Sequence, residues 1–401
     1  MGWKSVLTVA LWVVLVSGVD RHKFRTCQQS SFCRRSRSTS RQSSPYQLDM
    51  ATLESHHPTL VHIKMTNTLN KVQFNVELIG LVDETFRLRV READPLVTRF
   101  EVPHVVLGEP EMDLISVENE TDDGFTLVSK SGANKAVVQA RPFQINFYSN
   151  DVLVLSSNPR GLLQFEHTRE DKLPSDDPGM WKETFSGNVD SKPHGPSAVA
   201  MDFTFVNTDN VYGIPEHADR FSLKDTSGTD PYRLYNLDVF EYELWNPMAL
   251  YAAVPFMIGH NKERTTGLFW LNAAETWVDV RKSSSGVLGS LSNLMSSTQH
   301  QVDTQWISES GIIDVFVFLG PNPKDVSRQY GKITGTTPLP PEFSLAYHQC
   351  RWNYNDEADV RDVADKFDEH DIPMDIMWLD IEHTDGKKYC LLYTSPSPRD
   401  S

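Results

Sequence analysis

The sequence predicts a large antiparallel β domain followed by the start of a parallel α/β domain. Three features support this fold class: short β-branched runs separated by turn residues, a proline-rich stretch near residue 340, and a strand–helix–strand pattern after it. The chain has 401 residues. A single core stops growing at about 250 residues, so we expect at least two domains.

The β domain is assigned to residues 46–335. Its runs alternate apolar and polar residues or are rich in Val, Ile, Phe and Thr, as strands are. The clearest runs are residues 60–65, 72–78, 85–90, 136–140, 143–147, 152–155 and 312–318. Turn residues such as Asn150-Asp151 and Asn158-Pro159 separate them at the intervals of a β-sandwich, and no long helical period interrupts the pattern.

The second domain is assigned to residues 336–389. It opens with Thr337-Pro338-Leu339-Pro340-Pro341, a stiff and extended stretch that pairs poorly in a sheet. Residues 343–349 are then predicted to form a strand. Asp356 is predicted to cap a helix over residues 357–370, because apolar residues recur there at helical spacing.

The next predicted strand covers residues 374–381, and its near-continuous apolar sequence indicates burial on both faces. A strand, a helix and a buried strand form a βαβ unit, which requires a parallel sheet. Two strands do not complete such a sheet, so we expect this domain only to begin within the chain. Cys350 lies in an apolar run and is expected to be a buried free thiol.

The two ends of the chain differ from the rest. Residues 1–18 combine Lys4, an apolar run over residues 6–16 and the small residues Ser17 and Gly18, the pattern of a cleaved signal peptide. The run is shorter than a membrane span of roughly 20 residues, so we expect no membrane span and a lumenal or extracellular mature protein. Residues 390–401 depart from the period and composition of the chain, and we expect this tail to be non-native.

The charge of the chain is acidic overall but uneven. The net charge of −16 repels phosphate backbones, so nucleic acid is not an expected partner. Residues 19–45 form a basic N-terminal segment, in which residues 21–41 hold seven Lys or Arg and no acid. The Ser and Arg content of this basic segment indicates a solvated tail, with a docking segment as the alternative.

Cysteines and one sequon suggest covalent modifications. Cys27 and Cys33 enclose a five-residue loop, and in an oxidising compartment such a pair favours a disulfide. The cysteines lack metal-site spacing and no His cluster lies near them, so we expect no metal or cofactor. Asn119-Glu120-Thr121 is an N-glycosylation sequon in acidic, polar surroundings, so Asn119 is a candidate glycosylation site on the surface.

Three places are candidates for sugar binding. Asp380 ends the second parallel strand, at the edge where barrels of parallel strands bind substrate, and Arg351-Trp352-Asn353-Tyr354 ends the first. From spacing alone, Asp380 could equally cap the next helix. The third place is residues 232–256, whose aromatic rings and Asn and Asp residues suit pyranose rings, although such density is more common in the core of a β domain.

Several segments, occurring in order, resemble glycoside hydrolase family 31. They are Val211-Tyr212-Gly213-Ile214-Pro215-Glu216-His217-Ala218-Asp219, Tyr235-Asn236-Leu237-Asp238-Val239-Phe240-Glu241-Tyr242, Gly267-Leu268-Phe269-Trp270-Leu271-Asn272-Ala273-Ala274-Glu275, and Trp378-Leu379-Asp380-Ile381-Glu382-His383 with Asp385-Gly386-Lys387. The likeness runs from about residue 20 to residue 389. The last segment, and the basic residues 21–37 with their two cysteines, resemble the members of the family that work in the endoplasmic reticulum.

This resemblance implies a mutarotase-like β-sandwich followed by a (β/α)8 TIM barrel, of which the chain holds a truncated start. It implies a retaining exo-α-glucosidase that removes α-1,3-linked glucose from N-glycans of newly made glycoproteins, in the lumen of the endoplasmic reticulum and together with a β subunit. In such enzymes one carboxylate attacks the anomeric carbon while a second, about 5 Å away, protonates the leaving oxygen. The family carries both on later strands, so we expect no catalytic residue here and no activity from this chain alone.

The resemblance assigns to this sequence only residues at the edge of the family's sugar-binding site. The resemblance matches Asp380 to the carboxylate that holds hydroxyls of the nonreducing glucose, with Ile381 beside it. It also implies that an N-domain loop reaches the pocket, and we assign this loop to the segment around Phe240 and Tyr251. Trp245 departs from the family, which usually has an Asp at that position.

Two alternative functions remain from the sequence. One is a non-catalytic carbohydrate-binding homologue, for which the β domain alone would suffice. The other is a paralogous α-glucosidase acting on maltose or glycogen, which the signal peptide and the pair Cys27 and Cys33 disfavour. Carboxylates on later barrel strands of the full transcript would distinguish an enzyme from a binding protein.

Overall fold

The structure is a computed structural model that describes residues 24–40, 43–239, 241–283 and 300–388. The chain divides into two compact units between Gly335 and Thr336. The predicted signal peptide (1–18), the predicted tail (390–401) and Phe240 lie outside the described residues. Within the described ranges, no helix has both the length and the apolar character needed to cross a membrane.

The first unit is built mainly of strands. In chain order they begin with β1 (Tyr46–His57), β2 (Leu60–Asn67), β3 (Gln73–Leu81), β4 (Thr85–Glu92), β5 (Ile115–Thr121), β6 (Gly124–Ser129), β7 (Asn134–Ala140), β8 (Phe143–Ser149), β9 (Val152–Ser157) and β10 (Gln164–Phe165). They continue with β11 (Lys182–Phe185), β12 (Asn188–Ser191), β13 (Val199–Val206), β14 (Asn210–Gly213), β15 (Tyr232–Leu234), β16 (Phe256–His260), β17 (Thr265–Trp270), β18 (Thr276–Lys282), β19 (Gln301–Ser308) and β20 (Ile313–Phe318). The α-helices are α1 (Ser31–Arg37) and α2 (Pro323–Thr334), and 3₁₀ turns cover Cys27–Gln29, Val82–Glu84 and Pro178–Met180.

Two antiparallel sheets form a sandwich, as the sequence predicts. One sheet has the order β1-β2-β3-β4-β20-β17-β16-β14. The other has the order β15-β18-β19-β13-β9-β8-β7-β6-β5, with β10 paired to β13, and β11 and β12 form a separate hairpin. In β8 every second residue is buried, the period expected of a strand with one face in the core. Every residue of the central strand β13 is buried.

Large aromatic rings fill the space between the sheets. Trp270 lies 6.3 Å from Phe203 and 6.2 Å from Trp306, measured between ring centroids. The indole N–H of Trp270 donates to Ser308 Oγ at 2.9 Å, so its polar atom is satisfied within the core. Full burial of each such ring stabilises the fold by roughly 2–3 kcal/mol.

Helix α2 is absent from the sequence-based prediction. Asn322 and Asp325 form a capping box at its start, and Pro323 occupies the first turn, where a missing N–H costs nothing. On its buried face, Tyr330 stacks on Phe256 with ring centroids 4.3 Å apart. Gly335 ends the helix with φ 79°, a conformation that favours glycine.

The basic N-terminal segment is not a solvated tail, so that prediction is wrong for residues 24–40. Helix α1 and the preceding 3₁₀ turn pack on the sandwich, and the buried residues of this contact are Cys27, Phe32, Cys33, Ala198, Ala200, Trp277 and Ile307. Cys27 and Cys33 are joined by a disulfide. The docking alternative is correct because acidic residues of the sandwich pair with the arginines.

Four ion pairs join this segment to distant carboxylates. They are Arg25 to Glu183 at 2.9 Å, Arg34 to Asp177 at 2.7 Å, Arg35 to Glu166 at 2.8 Å and Arg37 to Asp279 at 2.9 Å. Burial alone would raise the pKa of Asp177, but hydrogen bonds from Arg34 and Ser31 hold it below its ordinary value. The segment therefore neutralises acidic groups that the fold has partly removed from water.

The second unit contains β21 (His348–Arg351), α3 (Glu357–Glu369) and β22 (Ile376–Leu379). The two strands are parallel and the helix connects them, so the βαβ unit is confirmed. The Asp356 side chain accepts the N–H of Asp359 at 2.8 Å and caps the helix as predicted.

Two details of the second unit differ from the prediction. The first strand begins at His348 rather than Phe343, because residues after Pro341 form a 3₁₀ turn in which the Ser344 hydroxyl donates to the Pro341 carbonyl at 2.6 Å. The second strand is not buried on both faces, since Trp378 is 53% and Leu379 is 55% exposed. Cys350 is free, as expected, but exposed rather than buried, and its sheet has two strands among the described residues.

Candidate functional site

The two parallel strands place Asp380 and Trp352 at one edge of their sheet. Arg351 pairs with Leu379 in the register of β21 and β22, so both strands end at the same level. The residues that follow them therefore share the carboxyl-terminal edge. In sheets of parallel strands this is the edge at which substrates bind.

Asp380 is held in a fixed position at this edge. Its Oδ1 accepts the backbone N–H of Ile381 at 2.5 Å, which makes Asp380 the cap of the 3₁₀ turn Ile381–His383. Its carbonyl oxygen accepts the N–H of His383 at 3.0 Å and lies 2.7 Å from His383 Nδ1. The capping alternative from the sequence is thus correct, and it is compatible with ligand binding, since the carboxylate is exposed and a second oxygen remains to accept hydrogen bonds.

Hydrogen bonds between side chains stiffen the strands behind Asp380. Trp378 Nε1 lies 2.8 Å from His348 Nδ1 across the two strands, with the rings 5.5 Å apart. Gln349 Nε2 donates to the hydroxyl of Tyr354 at 3.0 Å, and Tyr354 is buried. These contacts fix the backbone from which Asp380 projects.

The loop assigned to sugar binding in the β domain has a closed neck. Leu237 N–H donates to the Leu250 carbonyl at 2.7 Å, where the chain leaves and returns. Tyr251 follows this neck and is 58% exposed. Its hydroxyl donates to the Val239 carbonyl, and its N–H donates to Glu216 Oε2 at 3.1 Å. Glu216, which sequence reasoning did not single out, therefore orients Tyr251.

The aromatic residues of 232–256 divide into two groups. Tyr232 is fully buried, as the core interpretation of this stretch requires. Tyr242, Trp245 and Tyr251 are between 51% and 62% exposed, which the core interpretation does not explain. Exposed aromatic rings with polar neighbours are typical of carbohydrate-binding surfaces.

An open cleft of about 370 Å³ lies beside the neck of this loop. The residues that line it are Leu234, Tyr235, Asn236, Ala253, Pro255, Asn272, Ala273, Ala274, Glu275 and Thr276. The guanidinium of Arg233 stands 4.5 Å from the Tyr235 ring centroid and pairs with Glu275 at 3.1 Å, so one wall of the cleft is fixed by a buried ion pair. Among the described residues, no three His, Cys, Asp or Glu side chains are grouped as metal ligands would be.

Asn119 lies on β5, the edge strand of its sheet, and is exposed. Its φ is 51°, and the register between β5 and β6 shifts there, between Glu118 and Thr121. The bulge displays the amide away from the ladder, because the extra residue is left unpaired.

Comparison with known proteins identifies the family. The model of the glycosyl hydrolase 31 N-terminal galactose mutarotase-like domain matches residues 75–279. The model of the glycosyl hydrolases family 31 TIM-barrel domain matches residues 337–397, reaching into the predicted tail. The chain belongs to glycosyl hydrolase family 31, and the predicted order of a mutarotase-like domain and a partial TIM barrel is confirmed.

The chain is similar in sequence to named members of this family. The chain is 44% identical over 437 aligned positions to neutral alpha-glucosidase AB of Sus scrofa, covering 99% of this chain and 46% of the relative. It is 41% identical over 392 positions to a probable glucan 1,3-alpha-glucosidase of Arabidopsis thaliana, covering 92% of this chain and 42% of the relative. The chain thus spans under half the length of these relatives.

The chain is also similar to solved structures of proteins with related names. A Tris-bound glucosidase II alpha subunit matches with a TM-score of 0.85 and 40% identity, over 92% of this chain and 43% of that chain. The catalytic subunit in a heterodimeric complex of endoplasmic reticulum glucosidase II, which includes the binding domain of its regulatory subunit, matches with a TM-score of 0.84 and 39% identity, over 91% and 43% of the two chains.

Proposed function

We propose that this chain is part of a retaining exo-α-glucosidase that removes α-1,3-linked glucose from N-glycans of newly made glycoproteins. The observation that carries the proposal is the position of Asp380, a fixed and exposed carboxylate at the carboxyl-terminal edge of the first two barrel strands. A carboxylate there accepts hydrogen bonds from sugar hydroxyls. The printed names of the relatives, neutral alpha-glucosidase AB and probable glucan 1,3-alpha-glucosidase, support the reaction and the linkage.

The site residues have separate proposed roles. Asp380 binds hydroxyls of the nonreducing glucose, and the backbone turn at Ile381 holds Asp380 in place. From the β domain, the exposed Tyr251 is assigned to substrate binding, and Phe240 is assigned with it from the sequence. The nucleophile and the acid/base are Asp residues of later barrel strands, so this chain supplies substrate-binding residues rather than catalytic ones.

The partner and compartment follow from the same relatives. Glucosidase II is a heterodimer in the endoplasmic reticulum by the name of one matching structure. We propose that the whole protein works in the lumen of that compartment with the β subunit of glucosidase II. Co-purification of the full-length protein with that subunit is the expected result, and its absence would remove the partner from the proposal.

The test uses the full-length protein expressed from the native transcript. We expect hydrolysis of an α-1,3-linked glucose disaccharide, faster than hydrolysis of maltose, with α-glucose as the first product by NMR. Asp380→Asn should lower kcat/KM about a hundredfold or more, because it weakens charge-assisted hydrogen bonds worth about 1.5–3 kcal/mol each. Glu382→Gln is the matched control, since Glu382 pairs with Lys387 on the surface of the same turn.

Each outcome decides a part of the proposal. No hydrolysis by the full-length protein would favour the carbohydrate-binding alternative. A β-glucose product would exclude a retaining mechanism. A preference for maltose would favour the paralogous α-glucosidase. Equal activity of Asp380→Asn and Glu382→Gln would remove Asp380 from the site.

A further inference from the structure

Trp277 lies between the basic N-terminal segment and the cleft beside the candidate loop. It is buried, and it belongs to the cluster in which Cys27, Phe32 and Cys33 pack on the sandwich. Its partner in the register of β15 and β18 is Arg233. The guanidinium carbon of Arg233 lies 5.4 Å from the Trp277 ring centroid. One indole therefore contacts both the disulfide-bonded segment and a residue that fixes the wall of the cleft.

The polar atom of this indole extends the connection to the cleft itself. Trp277 Nε1 donates to Glu275 Oε1 at 2.9 Å, and Arg233 Nε donates to the same oxygen at 3.1 Å. Glu275 lines the cleft together with Tyr235, whose ring centroid lies 4.5 Å from the Arg233 guanidinium carbon. The Arg233 N–H also donates to the Pro247 carbonyl at 3.1 Å, which ties the loop to β15. Both the cleft and the loop thus depend on groups that Trp277 touches.

The N-terminal segment also reaches this region directly. Arg37 Nη2 donates to the Thr229 carbonyl at 2.7 Å, shortly before β15 begins. A cavity of about 90 Å³ is lined by both the segment and the loop, with Thr26, Met248 and Trp277 among its residues. The docked segment is therefore a neighbour of the loop as well as of the indole.

We propose that Trp277 is a positioning residue that couples the docking of the basic N-terminal segment to the geometry of the cleft. The segment holds the indole, the indole holds Glu275 and Arg233, and these two hold the cleft wall and the loop. The segment is the element with two states, docked and undocked, that such coupling requires. The coupling rests on these contacts, whereas its effect on glucoside hydrolysis rests on the proposed function.

The first test measures amide hydrogen exchange in the full-length protein, which requires no substrate. Two changes loosen the segment: Phe32→Leu, and the paired change Cys27→Ala with Cys33→Ala. Trp277→Phe keeps a ring in the cluster but removes the indole N–H. Trp306→Phe is the matched control, because Trp306 is also buried and donates from its Nε1, but belongs to the main core of the sandwich. If the variant without the bridge does not fold, Phe32→Leu performs the same test.

We expect either change in the segment to speed amide exchange in residues 232–237 and 246–250 about threefold to tenfold, an effect typical of mutations between coupled sites. Residues 124–140, in β6 and β7 near the other end of the same sheet, should not change. Trp277→Phe should show faster exchange with the segment unaltered. A change in the segment should then add less than its full effect, because the connection is already broken. In Trp306→Phe it should keep its full effect.

Two results would overturn the proposal. Unchanged exchange at residues 232–237 and 246–250 in the segment variants would show that docking does not reach the cleft. Fully additive effects of Trp277→Phe and the segment variants would show that Trp277 is not the connection.

Enzyme kinetics separates this inference from the proposed function. With the α-1,3-linked glucose disaccharide, Trp277→Phe and Phe32→Leu should raise KM about threefold to tenfold and leave kcat unchanged, because the proposed nucleophile and acid/base lie outside this chain. A purely structural role would lower the fraction of active enzyme and leave KM unchanged. Altered exchange without any hydrolysis would retain the coupling and reject the glucosidase. Hydrolysis with unchanged KM and unchanged exchange in both variants would do the reverse.

Discussion

Arg35 and Glu166 form a two-pronged ion pair across 131 residues of chain, with Arg35 Nη2 2.8 Å from Oε1 and 2.9 Å from Oε2. The side chains are 13% and 7% exposed. Glu166 Oε2 also accepts the N–H of Ala198 at 3.1 Å, which ties the pair to the sheet. A basic segment near the start of the chain thus supplies the cation for a buried carboxylate of the sandwich.

Arg35→Met should destabilise the β domain by about 3 kcal/mol, because it leaves the Glu166 carboxylate buried without its cation. Methionine keeps much of the apolar stem, so the loss of packing is small. Thermal and urea unfolding of the full-length protein measure the effect. Lys135→Met is the control, since its partner Asp151 is 81% exposed and ion pairs exposed to solvent contribute little to stability. Equal destabilisation by the two variants would show that the buried Arg35–Glu166 pair contributes no more to stability than an exposed ion pair.

Reduction of the disulfide between Cys27 and Cys33 should loosen the same segment. Both cysteines are buried, and a bridge that closes so short a loop stabilises by about 2 kcal/mol. Wild-type Tm should fall by several degrees in a strong reductant. A variant with both Cys27→Ala and Cys33→Ala should start at the lower Tm and not respond to reductant. Cys350→Ser should respond like the wild type, because its exposed thiol is free.

Asn119 should carry an N-glycan when the full-length protein is made in the secretory pathway. Its exposed bulge position on an edge strand gives access to the amide, and a glycan there would also obstruct pairing of β5 with another chain. An N-glycanase should shift the electrophoretic mobility of the wild type and of Thr121→Ser, but not of Asn119→Gln or Thr121→Ala. A wild-type band that does not shift would show that the sequon is unoccupied.

The sequence predicts those strands and helix starts that depend on interactions between residues close together in the chain. The alternating runs at 60–65 and 72–78 lie within β2 and β3, and the Asp356 cap begins α3. Helix α2 was also predictable, because Asn322, Pro323 and Asp325 form a local capping signal. The docking of α1 was not, since the carboxylates that receive its arginines lie 131 to 242 residues away along the chain.

In the candidate site, too, features set by nearby residues are predictable from the sequence, and features set by distant residues are not. The position of Asp380 follows from the strand–helix–strand pattern alone. The exposure of Trp245 does not, because it depends on hydrogen bonds to Ala218 and Lys224, which only the folded chain brings near. Burial of Cys350 was predicted from the apolar residues around it, yet burial depends on neighbouring elements rather than on the strand itself.

His217 should make the stability of the β domain depend on pH. Its Nε2 lies 2.8 Å from the Arg233 carbonyl, and its ring meets the Tyr232 ring edge-on at 5.0 Å. Burial lowers the pKa of His217, and this effect outweighs the Arg233 and Ile214 backbone groups and the charges of Asp219 and Glu216, which favour the cation. The unfolded chain therefore binds a proton more readily than the folded one. The contribution of His217 is fully present above its unfolded pKa of about 6.5 and is lost progressively as the pH falls below that value.

Unfolding free energies measured between pH 5 and pH 8 should fall toward acid in the wild type and fall less steeply in His217→Asn. Some slope should remain in the variant, because burial, followed by the neighbouring Arg169, also lowers the pKa of His167. His56→Asn, a change at an exposed position, is the control for removing a histidine. Equal slopes in the wild type and His217→Asn would show that His217 is not the group that titrates. At pH 7.5 His217→Asn should be less stable than the wild type, because it weakens the contacts to Arg233 and Tyr232 without relieving any buried charge.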